Sequence, residues 1–345
     1  MIKIKYLPYG RSTTMENDFL YLSEEDVDFL IGDNYSMVED VVVEALEHYY
    51  HGQALMPDKI SLIFDKKNQN RINCMPASIT PKNIYGTKWV SVFPSNRSKG
   101  IKNVEGFSFL SETVTGKLLC MMNSSITTSL RTAAVGSLAA RYLASANTKT
   151  IGFIGAGEEA KSHFHLLMNT FPNINTCKFS ARDIEDTSAL INELEKDYPT
   201  VNFIDCKDDY QKAIEASNII VTAISSQDPV LKADWIEDGM LYIHVGGRED
   251  EDEVALKATK IVCDSWEAVK HRTQTLSQMY VNNIIDDSNI YADLHEIIEG
   301  KKPGRENEKE FIYFNSVGLS VIDSLLSYKI YELAREKNIG TLLKK

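Results

Sequence analysis

Residues 148–171 read TKTIGFIGAGEEAKSHFHLLMNTF: a short apolar run, a glycine turn and an amphipathic stretch. Ile151, Phe153 and Ile154 suit a buried strand, and the spacing after Glu158 suits a helix. Between them, Gly155-Ala156-Gly157-Glu158-Glu159-Ala160 carries Gly-x-Gly-x-x-Ala where a strand would end and a helix begin. Gly155 permits the tight turn, Gly157 leaves the backbone open to a pyrophosphate, and Ala160 lets helix and strand pack closely. The helix start then offers free N–H groups and a positive dipole end to phosphate.

The motif is weak alone and gains weight from its surroundings. Downstream, CKFSA, VNFID, NIIVTAIS, LYIHVGG and KIVCDS alternate with helix-like stretches such as TSALINELEKDY and YQKAIEAS. Short apolar runs alternating with amphipathic helices mark βαβ units, so the expected fold is α/β with a Rossmann-type doubly wound parallel sheet. Ligands of such sheets sit at the carboxyl ends of strands, which points to Thr222, Ala223 and Ser225 and to Val245 and Gly246. The strand before Arg182-Asp183 should end at the adenosine ribose, where an acid reads free hydroxyls and an arginine accommodates a 2′-phosphate. The arginine comes first, which favours NADP(H) among the nicotinamide cofactors NAD(P)(H).

Upstream the texture differs. YLSEEDVDFLI reads as a short strand, and DNYSMVEDVVVEALEHYYHGQ as a helix capped by Asp33 or Asn34. KISLIF, TKWVSVF, GFSFLSE and GKLLCMM alternate as antiparallel strands of an α+β region. SLRTAAVGSLAARYLA (129–144) repeats apolar residues at helical spacing, with Ser129 or Thr128 as cap and Arg131 in the first turn. A cation there opposes the helix dipole at a cost of roughly 0.3–1 kcal/mol, unless it and the helix end face an anion together. The expected organisation is a substrate and dimerisation domain over 1–130, a dinucleotide-binding domain over 131–312, and a helix over 313–345 returning to the first domain.

The chain has 345 residues, 43% hydrophobic and 25% charged, with a net charge of −12. The acidic balance argues against a broad nucleic-acid-binding surface. Its five cysteines form no CxxC pair, the pattern of free thiols in a reducing compartment. His163 and His165 stand two apart and diverge on a helix, so they read as surface histidines rather than metal ligands. MIKIKYLPYGRST (1–13) carries no leader-like apolar core, and no run of 18 apolar residues occurs, so a cytoplasmic protein without a membrane span is expected.

Arg71, Lys88 and Arg131 each stand among apolar residues. Burying a lone cation is costly, so such residues pair or bind an anion; three beside a nucleotide-type domain suggest a carboxylate-bearing substrate. An amino-acid substrate would also need a base, since an ammonium cannot expel a hydride.

The order and spacing of Arg71-x-x-x-Met75-Pro76, Gly86-Thr87-Lys88, Arg131-Thr132-Ala133-Ala134, the Gly155–Ala160 turn, Lys302-Pro303-Gly304-Arg305 and Phe314-x-Ser316-Val317-Gly318 resemble the ornithine cyclodeaminase/μ-crystallin family along nearly the full chain. The resemblance implies that Arg71, Lys88 and Arg131 hold a substrate carboxylate, that Lys88 acts in catalysis, and that Thr132, Ser316 and Gly318 contact the cofactor. It also implies a homodimer and hydride transfer between an amino-acid Cα and nicotinamide. Lys88-Trp89-Val90, Asn96-x-Ser98-Lys99 and Asn338-Ile339-Gly340-Thr341 look most like the branch that oxidises N-(2-amino-2-carboxyethyl)-glutamate to 2,3-diaminopropionate and 2-oxoglutarate. Ornithine cyclodeamination, ketimine reduction, alanine dehydrogenase-like chemistry and a non-catalytic crystallin-like binding role are the alternatives.

One departure bears on the base. Cyclodeaminases carry Gly-Gly-Asp-x-Pro-Gly after the strand at 241–247, whereas this chain reads Gly246-Gly247-Arg248-Glu249-Asp250. Glu249 or Asp250 is then the expected base, the other acids of 249–253 a solvated run, and Arg248 a holder of a second carboxylate.

Overall fold

The computed structural model describes residues 18–65, 67–224 and 226–344. The expectations for residues 1–13 and for Ser225 lie outside the described residues. The strands run in chain order β1 (Asp18–Leu22), β2 (Ala54–Leu55), β3 (Ile60–Asp65), β4 (Asn70–Ile79), β5 (Ile84–Val92), β6 (Val104–Glu112) and β7 (Leu118–Asn123). They continue as β8 (Thr150–Ile154), β9 (Thr176–Ser180), β10 (Asn202–Asp205), β11 (Ile219–Thr222) and β12 (Leu241–His244). The last are β13 (Lys260–Cys263), β14 (Ala292–Asp293), β15 (Ile312–Asn315) and β16 (Thr341–Lys344). The helices are α1 (Glu24–Ile31), α2 (Tyr35–Tyr50), α3 (Ser125–Leu143), α4 (Glu158–Thr170), α5 (Ile184–Asp197) and α6 (Tyr210–Ile214). After them come α7 (Asp252–Lys257), α8 (Trp266–Lys270), α9 (Thr275–Val281), α10 (Leu294–Ile298) and α11 (Ser320–Lys337).

The chain forms two compact units, Met1–Arg131 with Leu319–Lys345, and Thr132–Gly318. In the first, the sheet order is β16-β1-β7-β6-β5-β4-β2, with β3 also on β4. Its pairs are antiparallel except β1 with β7. Alternation along β5 buries Ile84, Gly86, Lys88 and Val90 on one face and leaves Tyr85 and Trp89 exposed on the other. α11 packs over β4, β5 and β6, and α2 packs against α11. Burying Leu46, Ile79, Leu110, Met122 and Leu326 there supplies about 1.5–3 kcal/mol per large side chain.

The second unit is a parallel sheet in the order β10-β9-β8-β11-β12-β15-β13-β14. The chain winds from β8 outward through β9 and β10, then returns to place β11 and β12 on the other side. This is the doubly wound arrangement expected from the glycine turn, and its switch point lies between β8 and β11.

Several local readings change. SEEDVDFLI is not strand: Ser23 and Asp26 form a reciprocal capping box that starts α1, and only residues 18–22 pair in the sheet. Residues 70–79 form a long strand with Pro76 inside it. α3 begins at Ser125, whose N–H is taken by Asn123 Oδ1, so neither Thr128 nor Ser129 is the cap. Arg131 therefore sits in the second turn, and the dipole penalty expected from a first-turn cation does not apply. The second unit extends to Gly318 rather than 312, because Ile312–Asn315 is a central strand of its sheet. His163 is fully buried on the face of α4 that carries Ala160, Phe164 and Leu167, which corrects its reading as a surface histidine.

Candidate active site

In the first unit, the face of β5 beneath α11 carries a lysine that is 1% exposed. Lys88 Nζ donates to Asp323 Oδ1 at 2.7 Å and to Thr128 Oγ1 at 3.3 Å. Arg131 Nε donates to the same Asp323 oxygen at 3.1 Å. The residues just before Lys88 explain this closeness. A Cβ on Gly86 would stand 2.5 Å from Ser324 Oγ and 3.0 Å from its Cα, so only glycine lets α11 lie on β5. Ser320 Oγ pins the same helix to Pro76 O at 2.8 Å. The Met75-Pro76 and Gly86-Thr87-Lys88 signatures thus set the distance from helix to strand, and Met75 pairs directly opposite Lys88.

Arg71 lies on the same face of β4 as Asn73 and Met75, half-buried, with Nη1 on Gln69 O at 2.9 Å. Burial pulls its guanidinium below the ordinary arginine range. Asp323 is the residue the sequence reading missed. It is 5% exposed, and its Oδ2 has no hydrogen-bond partner among the described residues. A lone acid inside the apolar helical run VIDSLL was the available signal.

In the second unit, Gly155 adopts φ +122°, and a Cβ there would meet Ala223 O at 2.6 Å. No larger residue fits this turn. A Cβ on Gly157 would meet nothing within 4 Å, and this glycine heads α4 without a side-chain cap. Open space over uncapped N–H groups fits a dinucleotide pyrophosphate. Ala156 lies between the two glycines, Glu158 and Glu159 open the helix, and Ala160 is fully buried beneath it. Arg182 follows β9 with its side chain 84% exposed and Asp183 at 3.7 Å.

The other cofactor candidates are mostly held by internal bonds. Thr222 Oγ1 donates to Glu249 Oε2 at 2.6 Å. Val245 O and Gly246 O accept from Gln274 Nε2. Ser316 Oγ, Val317 N and Gly318 N all donate to Asp264 Oδ2, at 3.1, 2.9 and 3.0 Å. Asp264, a buried acid after β13, therefore fixes the Phe314–Gly318 signature, and burial raises its carboxyl against these donors. Thr132 is buried on α3. The Lys302–Arg305 signature is structural: Arg305 N binds Tyr142 O at 2.9 Å and Arg305 Nε binds Leu143 O at 2.7 Å, closing the end of α3.

The acidic segment differs from its reading. Glu249 and Asp250 are both 0% exposed, so neither belongs to a solvated run. Glu249 accepts from Ile224 N at 2.6 Å and Gly246 N at 3.0 Å besides Thr222. Asp250 accepts from Thr275 Oγ1 at 2.7 Å and Tyr313 OH at 2.9 Å. Burial pushes both carboxyls above their usual range, with His244 opposing. Donors occupy both oxygens of each acid, so they tie the loop instead of presenting a base. Arg248 is partly exposed, 3.4 Å from Asp252.

A doubly wound sheet with an open glycine turn, in one chain with a unit holding a lysine–arginine pair on one buried acid, defines a nucleotide-dependent enzyme class. The ornithine cyclodeaminase/mu-crystallin family model matches residues 21–338, and the chain belongs to that family. The solved Delta(1)-pyrroline-2-carboxylate reductase of Thermococcus litoralis, in complex with NADH and L-proline, is similar with a TM-score of 0.87 and 30% identity, over 94% of this chain and 99% of that one. An archaeal alanine dehydrogenase dimer with bound NAD gives a TM-score of 0.85 and 32% identity, over 95% and 99%. The N-((2S)-2-amino-2-carboxyethyl)-L-glutamate dehydrogenase of Staphylococcus aureus is 27% identical, over 95% of this chain and 99% of its own length.

Proposed function

We propose that this protein is an NAD(P)-dependent dehydrogenase acting at the Cα–N bond of an N-substituted amino acid. The substrate we assign is N-(2-amino-2-carboxyethyl)-L-glutamate, oxidised and cleaved to 2,3-diaminopropionate and 2-oxoglutarate. The observation that carries the reading is the Lys88–Asp323–Arg131 cluster, two buried cations on one carboxylate oxygen. Lys88 and Arg131 bring two positive charges to the single carboxylate of Asp323, an excess that a carboxylate-bearing ligand would complement. The Staphylococcus relative, the Lys88-Trp89-Val90 signature and Arg248 in place of the cyclodeaminase aspartate support the branch.

A second reading, alanine dehydrogenase or cyclic-imine reductase, is favoured by the higher identity to the solved relatives, 32% and 30%.

When bound, the nicotinamide supplies the hydride acceptor or donor. Gly155, Ala156 and Gly157, with the first turn of α4, would hold its pyrophosphate. Arg71, Lys88 and Arg131 hold the substrate carboxylate. The oxygens of Glu249 and Asp250 are already committed, so Lys88 Nζ is the group we assign to moving the proton of the reacting amine. Arg182 supports acceptance of a 2′-phosphate and hence use of NADP(H). The outer face of the first sheet aligns Cys74, Trp89 and Phe107 across β4, β5 and β6, with Tyr85 alongside. We assign this aromatic face to a second copy of the chain, as the dimeric archaeal relative supports; sedimentation of Trp89→Lys as a monomer is the expected result. Five free thiols support a reducing cytoplasm. No helix among the described residues is long and apolar enough to cross a membrane.

The test is an absorbance assay at the nicotinamide band with both cofactors. It covers N-(2-amino-2-carboxyethyl)-L-glutamate, alanine, ornithine and proline, with cyclic imines in the reverse direction. Turnover of alanine or proline alone replaces the assigned substrate. Gly157→Asp should weaken NAD(P)H binding at least ~100-fold, because a carboxylate would stand where the pyrophosphate approaches; unchanged fluorescence enhancement of the bound cofactor would refute the turn's role.

A further inference from the structure

We propose that His244 is the positioning residue of the 245–250 segment and that it works as an imidazolium, with a proton on both ring nitrogens. A chain of fixed amide orientations leads to this assignment. Gln274 Nε2 lies 3.2, 2.8 and 3.0 Å from the carbonyl oxygens of Val245, Gly246 and Ser316, so its nitrogen must point that way. Gln274 Oε1 therefore accepts from Asn315 Nδ2 at 2.8 Å. That turns Asn315 Oδ1 towards His244 Nδ1, also at 2.8 Å. On the other side of the ring, Nε2 lies 2.7 Å from Gly247 O. Both ring nitrogens face oxygen acceptors, and only a doubly protonated ring satisfies both. Reversing Asn315 would require reversing Gln274, which would set its oxygen against three carbonyls.

The remaining neighbours agree. Tyr313 OH stands 3.0 Å from Nδ1 and donates to Asp250 Oδ2, so its oxygen too is an acceptor for the ring. Glu249 Oε2 and Asp250 Oδ1 lie 3.5 and 3.8 Å from Nε2 and supply the opposite charge. Tyr242, the other titratable group on the ring, stacks at 5.8 Å and shares a hydrogen bond with Thr222. His244, Glu249 and Asp250 are all 0% exposed.

This arrangement explains how a loop without proline keeps its shape. The ring N–H holds Gly247 O, while Glu249 holds Gly246 N and Ile224 N. A Cβ on Gly246 would collide with Glu249 Oε1 and Ile224 O, so the turn closes only around glycine. An ionic pin replaces a conformational lock. The functional consequence rests on the reading that Val245 and Gly246 line the nicotinamide half of the cofactor site. Losing one ring proton sets a lone pair against a carbonyl oxygen, releases the segment and weakens cofactor binding.

The test is nitrogen-15 NMR of the histidine rings in the full-length protein, with His244→Gln assigning the signals. Both ring nitrogens of His244 should be protonated at pH 7. The NADH dissociation constant should rise about tenfold as pH passes the ring's titration, and His244→Gln should lose that pH dependence. A neutral tautomer at pH 6.5 overturns the assignment, and NADH affinity indifferent to the titration overturns the positioning role. Should His244→Gln fail to fold, Gln274→Leu frees Asn315 to turn and donate to the ring, and one ring nitrogen of His244 should then be bare at pH 7; two protonated nitrogens in that variant refute the amide chain. If the wild-type protein binds neither NADH nor NADPH, the cofactor reading fails, while the ring signals still decide the protonation state.

Discussion

In the first unit, Lys88 and Arg131 share one oxygen of Asp323, and the other oxygen meets no donor among the described residues. In the second, His244, Glu249 and Asp250 form a buried cluster whose side-chain nitrogens and oxygens all find partners among the described residues. The first cluster has cations in excess, the second carboxylates. A buried oxygen without a donor costs about 1–3 kcal/mol, whereas a satisfied network strengthens its surroundings. The contrast separates two arrangements of buried charge: on the proposed reading the incomplete cluster serves a ligand, whereas the complete one ties the backbone at Ile224 and Gly246.

Lys88→Met tests the incomplete cluster most severely. It should lower kcat/KM by about 1,000-fold, ~4 kcal/mol, while leaving the unfolding midpoint close to that of the wild type. A parallel collapse of stability in calorimetry would make this cluster structural and end the contrast.

His163 provides a pH test inside the second unit. Burial lowers its imidazole to about 4, so the folded state binds fewer protons than the unfolded one. Its contribution is fully present above an ordinary histidine value near 6.5 and is lost as pH falls through about 4, up to ~3 kcal/mol. Glu249, Asp250 and Asp264, whose carboxyls are raised, act in the opposite sense: their contribution is largest at low pH and is lost as pH rises through their folded values. Urea midpoints at pH 7.5, 5.5 and 4 should fall less for His163→Leu than for the wild type. Equal slopes would remove His163 from the account.

Thr275→Val removes the 2.7 Å donor from Asp250 and should cost about 2 kcal/mol of stability, read by urea unfolding. A loss confined to turnover would sharpen the contrast in the wrong direction, making the closed network part of the chemistry. The smallest effect belongs to Arg182→Ala, which should raise the NADPH dissociation constant about tenfold, ~1.4 kcal/mol, and the NADH constant less than twofold. Equal changes would leave the cofactor unselected by this arginine.

The legible parts of the molecule are those whose chemistry is local. Gly155, Gly157 and Ala160 encode strand, turn and helix within six residues, and the alternation of apolar runs and amphipathic helices after them gives the doubly wound sheet. The start of α3 is hard to place because Ser124 to Ser129 offers a run of hydroxyl residues, several of them plausible caps. Glu249 and Asp250 read as candidate bases within an otherwise solvated acidic run, because the donors that tie them come from Thr222, Thr275 and Tyr313, far along the chain. Asp323 is marked only as a lone acid in an apolar helical run; its partners lie 235 and 192 residues away, where no spacing rule reaches.

That separation also orders events during synthesis. Lys88 and Arg131 leave the ribosome long before α11, while the whole of the second unit, residues 132–318, emerges between them and their counter-ion. The glycine-turn unit can close first on the growing chain. The first sheet must wait, its two cations hydrated, until Asp323 arrives to neutralise them and β16 pairs with β1 at the sheet edge. Premature termination anywhere before residue 323 would thus yield a cofactor-type unit attached to a partner whose Lys88 and Arg131 lack their buried counter-ion and whose sheet lacks α11 and β16.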